Sequence, residues 1–362
     1  MFGWLWNWFD RISSPFLDWI QVEVTTCCDS ACIYCPHTAM GSPLPKKHMP
    51  LDLFCKLIPF IKHTKLIYLQ GWGEPLLNQD LFKMVRMCKE NKKHVGFTTN
   101  GMLLNEKNIR TIIDSEVDIL GVSLAGVTAK SHNKFRRGND FDQVVSNLSM
   151  LYKLKREQNS RLPALHLAYL MLRSNFHELE EIIPFAKSLG VEQIVASNLS
   201  LIFSKELSSE AIFNNRELSD DYRIRLAKIK ASAADAGIVF ANNRPDPDEN
   251  STRCSENVCY SCVVNVDGEI SPCVFTNPVF AAGNDLAGDK TIDYIFMDRL
   301  LSLKAISFGN IQHENLSRIW RKKEYVEFRA LFGSGKTAEH NDGLTHLPES
   351  CINCYKRLTP FL

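Results

Sequence analysis

From about residue 21 to residue 240, short apolar runs alternate with longer stretches whose apolar positions recur every three to four residues. The short runs predict strands: QVEVTT (21–26), LIYLQ (66–70), HVGFTT (94–99), DILGVSL (118–124), ALHLAYLM (164–171) and EQIVAS (192–197). The longer stretches predict amphipathic helices: LDLFCKLIPFIKH (51–63), DLFKMVRMCKEN (80–91), NEKNIRTIIDS (105–115), FDQVVSNLSMLYKLKRE (141–157) and FHELEEIIPFAKSLG (176–190), the last stopped by Gly190. Strands separated by helices predict a parallel sheet, because parallel neighbours need a crossover where antiparallel ones need only a turn. Six such units predict a partial (β/α)6, TIM-like barrel rather than the closed eight-unit form.

A polar helix near 217–236 is followed by ANNRPDPDENSTR (241–253), which reads as a linker. Beyond it CVVNVDGEISPC (262–273) predicts a hairpin with Asp267-Gly268 in a type I′ turn. The expected division is therefore an aromatic-rich extension over 1–20, an α/β core over 21–240 and a small α+β domain over 241–362. The extension, MFGWLWNWFDRISSPFLDWI, is interrupted by Asp10, Arg11 and Asp18 before it reaches the length of a membrane span, and it does not read as a secretory signal. It is expected to cap the bottom of the barrel, with docking through Trp4, Trp6 and Trp8 as the alternative. Forty-two basic residues balance forty-one acidic ones, so no basic footprint points to nucleic acid.

The expected compartment is the cytoplasm, where thiols stay reduced and cysteine clusters usually mean metal. The twelve cysteines fall into an early group (Cys27, Cys28, Cys32, Cys35), isolated Cys55 and Cys88 inside predicted helices, and a late group (Cys254, Cys259, Cys262, Cys273, Cys351, Cys354). Two groups predict two metal centres, and Cys55 and Cys88 are expected as small core residues. Cys28, Cys32 and Cys35, spaced C-x3-C-x2-C directly after the first strand, suit three corners of an iron–sulfur cube with one iron left open. Read alone, the same loop also admits a tetrahedral zinc with Cys27 or His37 as fourth ligand.

This spacing, with Tyr34 before the last cysteine, resembles the radical S-adenosylmethionine (radical SAM) superfamily. GWGEP (71–75), TTNG (98–101) and VSLAG…HNKFRRG (122–138) resemble further motifs of that family, in the same order at the ends of successive strands. The resemblance implies that Cys28, Cys32 and Cys35 bind a [4Fe–4S] cluster whose open iron takes the amino and carboxylate groups of SAM. It also implies that Gly73 and Glu74 meet the methionine amino group, that Ser123 and Arg136 hold carboxylate or ribose, that Tyr34 faces the adenine, and that Asn100 belongs to the cofactor site. Trp72 departs from the family pattern, which usually has glycine there.

Cys254, Gly268-x4-Cys273 and Cys351-x2-Cys354 resemble the C-terminal SPASM/twitch extension of that superfamily, implying one auxiliary [4Fe–4S] cluster held by Cys254, Cys273, Cys351 and Cys354. Cys259 and Cys262 stay open as substitutes for Cys254 or as a separate site, with Cys262 expected to be packed in the hairpin. The segment 308–332 resembles the SPASM stretch whose Ile319, Trp320 and Phe328 pack on the hairpin.

The function implied is reductive cleavage of SAM to a 5′-deoxyadenosyl radical for hydrogen abstraction, with a reductant such as flavodoxin or ferredoxin. Within the family the chain resembles maturases of peptides, proteins or cofactor precursors, and LQGWGEPLL with VDGEISPC resembles those associated with tungsten-cofactor oxidoreductases. A small-molecule alcohol dehydrogenase is the alternative within the family, and a non-catalytic metal-binding scaffold the alternative outside it. No side chain is assigned a catalytic role: His166 and Tyr169 lie on the fifth strand, where interior polar residues are most often structural.

Overall fold

A computed structural model describes residues 17–39, 45–277, 291–332 and 347–361; Trp4, Trp6 and Trp8 lie outside the described residues. The six expected strands are present as β1 (Leu17–Val22), β2 (Thr64–Tyr68), β3 (His94–Thr99), β4 (Ile119–Leu124), β5 (Ala164–Met171) and β6 (Gln193–Asn198). They pair in chain order, all parallel. The expected α/β architecture, a partial barrel with crossover helices, is what forms.

Three strands extend it: β7 (Val239–Asn242) on the free edge of β6, and the hairpin β8 (Ser261–Val264) with β9 (Ile270–Ser271), whose β8 lies parallel to β1. The spatial order is β9-β8-β1-β2-β3-β4-β5-β6-β7. The C-terminal hairpin thus continues the sheet of the core. A second hairpin, β10 (Thr291–Phe296) and β11 (Arg299–Lys304), stands apart from the main sheet.

Alternation along the strands sorts two faces. Ile20, Val22, Ile67, Val95, Phe97, Leu120, Val122, Leu165, Leu167 and Ile194 are buried in the main core with apolar residues of the crossover helices. The alternate positions, among them Gln21, Tyr68, Thr98, Ser123, His166 and Val195, keep partial exposure on the opposite face.

The helices follow the apolar spacing except where proline intervenes. The expected helix over 51–63 is two short ones, α1 (Leu51–Cys55) and α2 (Ile58–Ile61), because Pro59 has no N–H for the Cys55 carbonyl. Cys55, expected in the core, is exposed at the end of α1, whereas Cys88 in α3 (Leu81–Glu90) is fully buried. After α4 (Glu106–Asp114), α5 (Ala129–Phe135) and α6 (Phe141–Glu157), Pro184 likewise shortens the next helix, α7 (Ile182–Ser188), which a 3-10 turn over Phe176–Glu180 precedes. Gly190 ends it at φ +66, where a Cβ would sit 2.3 Å from the Tyr152 ring.

After α8 (Ser219–Asp235), β7 runs two residues into the stretch expected as a linker, and that stretch is tied down. Asn243 accepts from the Asn198 amide (2.9 Å) and donates to the Thr359 carbonyl (2.8 Å), while Asn198 donates to the Arg244 carbonyl (2.7 Å). The type I′ turn expected at Asp267-Gly268 is also different. Only Gly268 takes positive φ (+84), and its amide donates to the Asn265 carbonyl. The two-residue turn with both φ positive is at Met297-Asp298 (+47 and +62), joining β10 to β11.

Candidate metal and cofactor sites

The early cysteines lie on a loop that leaves the C-terminal end of β1 and is pinned from several sides. At its start Thr25 donates its hydroxyl to the Lys47 carbonyl (3.1 Å), and the Cys27 amide donates to the Thr25 hydroxyl (3.0 Å). In the middle, Asn100, just past β3, donates to Asp29 Oδ1 (2.6 Å) and Ser30 Oγ (2.9 Å). Ala31–Cys32 pair antiparallel with Arg136–Arg137, which follow α5. The Cys35 amide closes a turn on the Cys32 carbonyl (3.0 Å).

Cys28, Cys32 and Cys35 feel one another electrostatically. Burial pushes the Cys28 thiol up to about 11, with Glu74, Asp29 and Cys32 adding, and pushes Cys35 up to about 12, with Cys32 and Cys28 adding. Such thiols stay protonated alone and give up their protons to a metal. Cys27 is turned elsewhere: its Sγ points to the Lys47 carbonyl (3.9 Å) and its own carbonyl accepts from the Glu74 amide (2.8 Å).

That last hydrogen bond joins the cysteine loop to residues 71–75, after β2. Gly73 is packed so closely that a Cβ would fall 2.4 Å from the Thr25 carbonyl oxygen and 2.6 Å from that of Cys27. Only glycine fits. The next side chain, Glu74, is buried and accepts from Thr99 Oγ1 (2.7 Å) and the Leu76 amide (3.2 Å) at Oε1, and from the Asn100 amide (2.7 Å) at Oε2. A carboxylate has about four acceptor positions, so Oε2 keeps room for one more donor such as an ammonium. Burial pushes its pKa up to about 7 against these hydrogen bonds, a state that a bound cation would reverse.

Arg136 is buried and donates from Nη1 to the Tyr34 hydroxyl (2.6 Å), while its Nε has no partner among the described residues. His37 Nε2 is likewise buried and unpartnered. Ser123 lies on the partly exposed face of β4. Three thiols, a cradle that excludes Cβ at Gly73, and an unpartnered guanidinium nitrogen fit a three-cysteine cluster with a zwitterionic ligand beside it. His166, also on the partly exposed face, packs over Gly121, where a Cβ would meet its Nε2 at 2.4 Å. Tyr169 is buried, with its hydroxyl on the Asn175 carbonyl (3.0 Å).

Of the late cysteines, Cys254, Cys273, Cys351 and Cys354 line one cavity together with Phe275, Phe328, Lys356 and Arg357. Burial raises all four thiols, Cys273 to about 12, and Cys254 and Cys351 each feel Cys273 and Cys354. Cys262 is fully buried inside β8, and Cys259 Sγ lies 3.5 Å from the Arg329 carbonyl; neither lines the cavity. Among the described residues, no three Cys, His, Asp or Glu side chains converge on one metal ion. A four-iron cube takes one thiolate per iron, so its ligands ring a cavity instead of meeting at a point.

Three residues that sequence reasoning passed over or left unexplained are central here. Trp72 donates its indole N–H to the Val274 carbonyl (3.3 Å) and stacks on Phe275 (6.1 Å, 18°). Glu23, fully buried past β1, accepts from the Trp72 amide (3.0 Å) and from Asn277 (3.1 Å). Among the described residues, Arg357, buried beside the second cavity, donates to carbonyls alone, those of Cys351, Glu249, Ser251 and Ile352. An acid inside an apolar strand pattern was the available signal for Glu23. Nothing local marked Arg357.

Comparison with known proteins bears on both sites. Residues 22–186 match the radical SAM superfamily, and residues 254–355 match SPASM, an iron–sulfur cluster-binding domain. The chain is similar to a tungsten-containing aldehyde ferredoxin oxidoreductase cofactor-modifying protein of Pyrococcus furiosus, 24% identical over 349 residues that span 94% of this chain and 88% of that protein. An AdoMet-dependent heme synthase of Oleidesulfovibrio alaskensis is 20% identical over 350 residues, spanning 91% of this chain and 79% of that protein. Among solved structures, Streptococcus suis SuiB bound to S-adenosylmethionine superimposes with a TM-score of 0.61 at 14% identity, covering 95% of this chain and 71% of that one. For anSMEcpe with bound AdoMet the TM-score is 0.62 at 15% identity, with coverage of 88% and 84%. At these identities the structures establish the fold.

Proposed function

Because this chain belongs to the radical SAM superfamily and carries a C-terminal SPASM domain, we propose that it reductively cleaves SAM and uses the resulting radical to mature a peptide, a protein side chain or a cofactor precursor. The observation that carries this reading is a cysteine loop one ligand short. Cys28, Cys32 and Cys35 share one electrostatic environment while Cys27 is turned to the Lys47 carbonyl. When bound, a [4Fe–4S] cluster with SAM at its open iron supplies one-electron cleavage of the sulfonium to give a 5′-deoxyadenosyl radical.

The chain's own residues position and exclude. Cys28, Cys32 and Cys35 hold the cluster; Gly73 lets the backbone approach, and Glu74 receives the methionine ammonium at its remaining acceptor position. Arg136 and Ser123 face the carboxylate or ribose, with Arg136 also fixing the Tyr34 hydroxyl beside the adenine. Asn100 holds the cysteine loop through Asp29 and Ser30. Cys254, Cys273, Cys351 and Cys354 hold one auxiliary [4Fe–4S] cluster, with the core running from β1 through β7 and the auxiliary domain following β7. A small reductant such as flavodoxin or ferredoxin supplies the electron. The described residues include no helix long and apolar enough to cross a membrane.

The maturase reading is supported by similarity to a cofactor-modifying protein over nearly the whole chain. Anaerobic reconstitution with iron and sulfide, followed by dithionite and SAM, is expected to yield 5′-deoxyadenosine, and the Cys28→Ala variant none. A protein that binds zinc, or carries iron without cleaving SAM, would overturn the proposal.

A further inference from the structure

The two cofactor sites are joined through a short set of named contacts. On one side, residues 71–75 are fused to the cysteine loop: Gly73 lies against the Thr25 and Cys27 carbonyls, and the Glu74 amide donates to Cys27. On the other side, residues 273–277 carry Cys273 and Phe275 into the lining of the second cavity. Trp72 connects them. Its indole N–H reaches the Val274 carbonyl, its ring stacks on Phe275, and Phe275 in turn lies under the Lys356 ammonium (5.6 Å), itself paired with Glu256 (2.9 Å) at that cavity.

A second tie runs underneath. Glu23 holds the Trp72 amide through Oε1 and Asn277 through Oε2, and Asn277 accepts from Asn265 (3.0 Å) at the β8–β9 turn. Gly71 permits this, since a Cβ there would sit 2.2 Å from Glu23 Cγ. A glycine at position 72 would keep the amide bond to Glu23. It would lose both links to Val274 and Phe275.

We infer that Trp72 is a positioning strut through which occupancy of the auxiliary site sets the affinity of the SAM site. A cluster on Cys273 orders residues 273–277, which fixes Phe275 and the Val274 carbonyl, and through Trp72 holds Gly73 and Glu74 in the shape that receives the methionine amino group. Without that cluster the segment is still held through Thr276 and Asn277, the Cys273 end of the strut is held less firmly, and SAM binding must supply the remaining order. The inference rests on the assignment of SAM to residues 71–75, and the coupling it describes is reciprocal.

A double-mutant cycle on SAM affinity tests it. Wild type, Trp72→Gly, Cys273→Ala and the double variant are reconstituted anaerobically, iron is counted to confirm the SAM-site cluster, and SAM dissociation constants are measured by calorimetry. The Cys273→Ala change is expected to weaken SAM by about 5-fold or more with Trp72 present, and by less than about 2-fold in the Trp72→Gly background. In the reverse direction, SAM should slow chelator extraction of auxiliary iron in wild type and not in Trp72→Gly. If Trp72→Gly fails to fold, Trp72→Phe, which keeps a ring for Phe275 and removes the indole N–H, is expected to show intermediate coupling. Losses that simply multiply would overturn the strut while leaving SAM binding intact. A wild type that binds no SAM would instead overturn the assignment of the site itself.

Discussion

Glu23→Gln perturbs the most deeply buried carboxylate between the two sites. Glu23 is fully buried, and desolvation raises its pKa from the usual 4.5 to about 7 despite hydrogen bonds from Trp72 and Asn277. A carboxyl whose folded pKa exceeds its unfolded one keeps its proton longer in the native state. The native protein therefore binds more protons between pH 4.5 and 7, and stability falls as pH rises through that window, levelling off above it. The difference between 4.5 and about 7 corresponds to roughly 3 kcal/mol in all, of which roughly 1.4 kcal/mol is lost between pH 6 and pH 8. Glu74, also buried and also raised to about 7, contributes a second share of similar size. Glutamine keeps the acceptor for the Trp72 amide but sets its NH2 against the Asn277 NH2, which cannot turn without breaking its bond from Asn265. That costs about 1 kcal/mol relative to the protonated glutamate, less than the ionisation penalty that the glutamine escapes at pH 6 and above. Urea unfolding at pH 6, 7 and 8 under anaerobic conditions should show Glu23→Gln more stable than wild type by about 1 kcal/mol at pH 6 and about 2 kcal/mol at pH 8, with about half the wild-type pH slope. An unchanged slope would refute the claim that Glu23 ionises in the fold near neutrality.

Further outcomes follow from single residues. Gly73→Ala forces a Cβ against two backbone carbonyls, so it should destabilise by about 1–3 kcal/mol and weaken SAM more than about tenfold by calorimetry, with iron content retained. Among the described residues Arg357 is a buried cation bonded to carbonyls alone, and the nearby Asp248 is engaged with Arg244 (3.1 Å). At an effective dielectric near 20, a unit charge lining the cavity is worth on the order of 100 mV to a cluster held there, so Arg357→Met should make the auxiliary potential more negative by about that amount in an EPR-monitored redox titration. Gly268→Ala, at φ +84 and with a Cβ 2.9 Å from Asn310 Oδ1, should lower the urea midpoint by the equivalent of about 1–3 kcal/mol without altering SAM affinity.

The parts of the fold encoded locally were readable from the sequence. His94–Thr99, Ala164–Met171 and Phe141–Glu157 run where the periodicity ends them. Proline chemistry, visible in the sequence but not weighed, broke the helices at Pro59 and Pro184. The strands missed or misplaced depend on distant partners. Val239–Asn242 is short enough to read as the start of a linker, and becomes a strand because β6 offers an open edge. The first strand begins at Leu17 because Thr64 and the β8 strand pair there, which nothing between residues 17 and 21 announces. Around the sites, motif spacing pointed to the thiols and to the Gly73-Glu74 turn. It was silent on Arg357, whose partners lie both in residues 351–352 and some hundred positions away, and it registered Trp72 only as a departure from a pattern. Shape explains that departure: the indole fills the gap between two loops that meet only in the folded chain.

We propose two clusters on two separate cysteine sets, one of them open to SAM. Iron and sulfide analysis of anaerobically reconstituted wild type, Cys28→Ala and Cys254→Ala, each assayed for 5′-deoxyadenosine with dithionite and SAM, separates the two sets. The expected result is about eight, four and four irons, with SAM cleavage abolished in Cys28→Ala alone. About four irons in wild type, or SAM cleavage that survives Cys28→Ala, would contradict it.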